Sequence, residues 1–64
     1  MLITKKIKDI REQNNFTMEY IAIQMEIEVK DYIKIEQGKV DLKLSKLDKL
    51  VKILGIKKSE LFRL

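Results

Sequence analysis

Sixty-four residues make one small domain, residues 1–64, with a core just large enough to fold alone. The chain has no cysteine and no histidine. That removes disulfides, thiolate zinc sites and the commonest general base and nucleophile, so no metal, no cofactor and no enzymatic reaction is expected. The formal net charge of +4 and an isoelectric point near 9.4 suit a nucleic-acid partner, but also a merely lysine-rich small domain.

No apolar run approaches the length of a membrane span, and the charges of MLITKKIKDI fall inside a helical pattern with no small-residue cleavage site. The expectation is a soluble, cytoplasmic protein.

Ile3, Ile7 and Ile10 recur at helical spacing and predict a first helix over about 4–14. Asn14-Asn15 is its stop, because asparagine tolerates the left-handed backbone of a helix end. Phe16 plugs the core, and Thr17 can cap the next helix. Tyr20 stands where a capping box wants Glu or Gln, so that cap is half a box.

A second helix over 18 to 24 or 25 buries Ile21, Ala22 and Met25. The turn Met25-Glu26-Ile27-Glu28 follows, with Ile27 as its plug. A third helix over about 28–36 turns Tyr32 and Ile35 inward, and Gly38 ends it in the left-handed region. Two short helices sharing one apolar seam across a tight turn read as a helix-turn-helix.

The loop 39–43 carries lysines. Ser45 can cap a fourth helix with Leu44, Leu47, Leu50, Val51 and Leu54 inward, stopped at Gly55. Ile56 plugs the core again, and Ser59 opens a last helical turn carrying Leu61 and Phe62. The class is therefore all-α, a compact five-helix domain.

Charge is unevenly spread. Residues 1–16 carry +2 and residues 39–64 carry +5. Residues 17–38 carry −3, since Lys30 and Lys34 face Glu19, Glu26, Glu28, Asp31 and Glu36. The projecting unit is acidic, and the excess positive charge follows it.

From Arg11 through Phe62 the chain resembles the lambda-repressor-like, Cro/Xre-type helix-turn-helix domain. The matching residues are Ile7-x-x-Ile10-Arg11, Phe16-Thr17, Ile21-Ala22, Met25, Ile27, Tyr32, Ile35-Glu36-Gln37-Gly38-Lys39, Leu44, Leu47, Leu50, Leu54-Gly55-Ile56 and Leu61-Phe62. The Ile-Glu-x-Gly-Lys stretch at fixed distance from Ile-Ala is the specific part.

The resemblance implies a DNA-binding domain, usually a homodimer, that represses or activates transcription in bacteria or phages. It implies a structural ion pair between Arg11 and Glu36; two unrelated surface charges are the plainer reading. It places base-reading side chains on the outer face of the third helix, here Val29, Lys30, Ile33 and Lys34. The lysines could donate to guanine or phosphate and the aliphatics touch thymine methyls; otherwise the lysines are solvated and the aliphatics cover the core's edge. Thr17, Met18, Lys39, Lys43 and Lys46 stand at its phosphate positions, although Met18 has no donor where the family has Gln. Those lysines otherwise form a solvated face.

The chain departs from the family at Glu26, where a turn glycine is usual, and at Glu28, where a Ser or Thr cap is usual. Lys43 and Leu42 replace a usual Ser and Pro. Tyr20, Ile23, Val29 and Ile33 read as exposed apolar positions.

Two functions remain open. One is a sequence-specific, homodimeric regulator, expected to be a repressor, bound to an inverted repeat with half-sites about one helical turn apart. The other is a degenerate helix-turn-helix that binds a protein partner, such as a toxin or larger regulator. Leu61, Phe62 and Leu64 are the candidates for a dimer contact. They could instead close the core over Met1 to Ile3, as a short paired strand.

Overall fold

A computed structural model describes residues 3–61. Five helices follow in chain order: α1 (Ile3–Gln13), α2 (Met18–Met25), α3 (Val29–Glu36), α4 (Leu44–Leu54) and α5 (Lys58–Leu61). No strand occurs among the described residues.

The apolar stripes of these helices meet in one core. Ile7, Ile21, Tyr32, Leu50 and Leu61 are fully enclosed, one from each helix. Ala22, Met25, Ile35, Leu47, Val51 and Leu54 complete the centre, and Phe16, Ile27 and Ile56 close its edges from the loops. α2 packs on α3 and α4, and α1 on α3 and α5. The principal extents are 29 × 23 × 18 Å. Helices this short draw their stability from such packing, not from helix propensity.

The turns follow the local chemistry. Asn15 takes φ 60°, just past the end of α1, and Asn14 Nδ2 donates to the Ile10 carbonyl at 2.8 Å. Thr17 has an extended backbone, and its hydroxyl oxygen accepts from the Tyr20 amide at 3.0 Å. Glu26 takes φ 61° and ψ 39°, a left-handed conformation that costs a non-glycine residue about 1–2 kcal/mol. Gly38 and Gly55 supply positive φ after α3 and α4.

Several expectations are corrected. Lys43, not Ser45, is the N-cap of α4. Its backbone is extended, and the Leu47 amide donates to its carbonyl at 2.9 Å, so Ser45 already lies inside the helix. Leu44 is 64% exposed, because no described element covers the first turn of α4 and burial on that stripe begins at Leu47. α3 starts at Val29, with Glu28 as a cap that makes no side-chain hydrogen bond. Ser59 lies inside α5, which opens at Lys58. Val29 and Ile33 are half-buried, not exposed, whereas Tyr20 and Ile23 do face solvent. Ile3 lies in α1, not in a strand, and the rest of that expected pairing, Met1, Leu2, Phe62 and Leu64, lies outside the described residues.

Candidate nucleic-acid interface

The interface is framed by a buried polar knot. Arg11 is 7% exposed, and its guanidinium forks onto Glu36, with Nε at 2.5 Å from Oε2 and Nη2 at 3.3 Å from Oε1. Nη1 donates to the Phe16 carbonyl at 2.8 Å, and the Tyr32 hydroxyl donates to Glu36 Oε2 at 2.5 Å. The Arg11–Glu36 pair expected from the resemblance is therefore present. Tyr32 and Glu36, four residues apart, share one side of α3; the apolar pattern predicts Tyr32 inward but not the hydrogen bond of its hydroxyl.

This knot joins α1, the loop into α2, and α3. The hydrogen bond from Arg11 to Glu36 raises the guanidinium pKa further. Burial, reinforced by Glu36, pushes the Tyr32 phenol well above the ordinary tyrosine value. No buried side-chain polar atom among the described residues lacks a partner. A half-satisfied network would cost more than an apolar core, so complete pairing is what makes this one tolerable.

The knot fixes the outer face of α3. Val29 packs against the core edge. Lys30 is exposed and ion-paired to Glu28 at 3.4 Å, so part of its charge is answered at home. Ile33 shares a groove with Met18, Lys8 and Gln37, floored by the Arg11–Glu36 pair. Lys8 and Gln37 were not anticipated as interface residues. Gln37, four residues after Ile33, could have been found from helical spacing; Lys8 could not, because only the packing of α1 on α3 brings it there.

Lys34 lines a second groove with Lys46, between α3 and the start of α4. Ile35 and Leu42 form its floor, and Asp31 and Asp41 share the rim. Lys34, Lys39, Lys43 and Lys46 make no ion pair among the described residues. Of the expected phosphate contacts, Thr17 is engaged as an acceptor but keeps its hydroxyl proton, and Met18 is half-buried on the core.

The turn between α2 and α3 is held from α4. Lys49 Nζ donates to Glu26 Oε1 at 2.9 Å and to the Met25 carbonyl at 3.4 Å. That hydrogen bond holds the Glu26 carboxyl below its ordinary pKa.

Among the dimer candidates, Leu61 is fully buried in the chain's own core and leaves no surface for a partner. Phe62 and Leu64 lie outside the described residues. No group of His, Cys, Asp and Glu suited to a metal occurs among the described residues, and none of their helices is long and apolar enough to cross a membrane.

Five packed helices, with α3 projecting beyond a turn from α2, define the helix-turn-helix class of DNA-binding domain. The chain belongs to a helix-turn-helix domain family, whose sequence model matches residues 4–64. That agrees with the Cro/Xre-type resemblance, and DNA binding is the general activity of the class. No curated protein and no solved structure gives a significant match.

Proposed function

We propose that the chain is a sequence-specific double-stranded DNA-binding regulator, a homodimer on an inverted repeat and a repressor by occupancy. The observation that carries this is the run of four lysines that make no ion pair among the described residues, Lys34, Lys39, Lys43 and Lys46, leading from α3 through the loop into α4. Three of the five acids in the helix-turn-helix are drawn off, Glu26 to Lys49, Glu28 to Lys30 and Glu36 to Arg11, while Glu19 and Asp31 make no ion pair among the described residues. The acidic sum over residues 17–38 thus overstates the negative charge that DNA would meet. In this reading Lys39, Lys43 and Lys46 neutralise phosphates, with the α2 start at Thr17 and Met18 beside the backbone. Lys34, Lys30, Val29 and Ile33 face base edges. Phe62 and Leu64 are the remaining candidates for the contact between protomers.

Enrichment of a random duplex pool, followed by titration at two salt concentrations, tests this. The expected result is an enriched inverted repeat bound far better than an unrelated duplex. Lys39→Ala, Lys43→Ala and Lys46→Ala should each lower the slope of log affinity against log salt by about 1. Equal, weak binding to every duplex would refute the proposal. That outcome would favour the second reading, a protein-binding module, which draws on the exposure of Tyr20 at 43% and Ile23 at 69% along α2.

A further inference from the structure

The turn into α3 carries a glutamate in a conformation that favours glycine, and the chain has built something around it. The backbone of the turn bonds only to its two flanking helices: the Glu26 amide donates to the Ala22 and Ile23 carbonyls, the Ile27 amide to the Ala22 carbonyl at 3.0 Å, and the Glu28 carbonyl accepts from the Asp31 and Tyr32 amides. None of these bonds fixes where α3 departs relative to the rest of the core.

Lys49 does reach across. It lies one residue before the fully buried Leu50, so the backbone beneath it is anchored. Its ammonium bridges the Glu26 carboxylate and the carbonyl of Met25, the last residue of α2. Carbonyls at a helix end lack intrahelical partners, and a lysine with three donors can satisfy one of them together with a carboxylate. A glycine at position 26 would relieve the backbone but offer no acceptor to α4.

We propose that Lys49 is a positioning residue: acting through Glu26 and the Met25 carbonyl, it ties the α2–α3 turn to α4 and so sets how α3 is presented to DNA. The DNA half of this statement rests on the function proposed above; the positioning half does not.

The test uses the full chain with Glu26→Gln, Lys49→Ala and Lys49→Arg. Glu26→Gln leaves every cation in place, so it breaks the ion pair without removing a phosphate contact. Two readouts are taken: amide exchange at Ile27, Val29 and Lys30 in the free protein, and the ratio of affinities for a duplex enriched by the unmodified chain and for an unrelated one. Glu26→Gln and Lys49→Ala should speed exchange of the Ile27 amide about 1.5- to fivefold, the range that loss of one exposed ion pair gives. Both should lower the affinity ratio by a similar factor, and Lys49→Arg should restore most of each. Unchanged turn exchange together with an unchanged ratio would overturn the proposal. Should Lys49→Ala fail to fold, Glu26→Gln decides alone. Should the unmodified chain fail to discriminate between duplexes, the DNA reading falls, and the exchange data still decide whether Lys49 positions the turn.

Discussion

Replacing Arg11 with methionine probes the centre of the molecule. Methionine matches the length of the aliphatic stem and fills most of its volume, so the change is chiefly electrostatic. Glu36, whose side chain is 7% exposed, would lose both guanidinium bonds and keep only the Tyr32 hydroxyl. The Phe16 carbonyl would lose its donor as well. Leaving one member of a buried pair uncompensated costs about 3–5 kcal/mol. A domain of this size has a total stability of about 3–10 kcal/mol. Arg11→Met should therefore be marginal or unfolded at room temperature, as judged by helical circular dichroism during urea titration. Adding Glu36→Gln removes the stranded charge and should recover about half of the loss or more. The reasoning fails if Arg11→Met loses under about 1 kcal/mol, or if the second substitution makes matters worse.

Two further outcomes follow from the same geometry. The folded chain holds the Tyr32 phenol neutral with a raised pKa. Its contribution is thus complete below the ordinary tyrosine value of about 10 and is lost as pH climbs from there toward the higher folded value. Thermal melts should show an alkaline decline beginning above pH 10 that Tyr32→Phe flattens; an unchanged alkaline limb in that variant would refute the assignment. Gly55→Ala meets no neighbouring atom, so only its φ of 74° opposes it. A loss of about 1–2 kcal/mol in urea unfolding is expected, and a neutral result would show that the end of α4 relaxes.

Most of the frame was legible in the sequence because helical periodicity and stop signals agreed. Ile21, Ala22, Met25, Tyr32 and Ile35 were placed inward from spacing alone, and Asn15 and Gly38 at helix ends from their backbone tolerance. Leu44 misled because periodicity records which side of a helix a residue occupies, not whether another element reaches that turn. Ser45 misled because a good capping side chain does not itself start a helix; here the backbone turned in at Lys43. The interface was harder to read. Lys8 and Lys49 matter through contacts between elements distant in sequence, which no local pattern records, whereas Gln37 follows Ile33 at helical spacing. The acidic sum of the α2–α3 unit hid the fact that three of its carboxylates already have partners.

The chain has 12 lysines and two arginines, and the one arginine among the described residues is the cation inside the fold. A guanidinium sheds water more easily than an ammonium and presents a rigid fork that can hold a carboxylate and a carbonyl together. A lysine at position 11 would keep the charge yet lose that fork, so the exchange usually scored as mildest would be among the most disruptive here. Position 11 therefore requires the fork itself and not merely a positive charge.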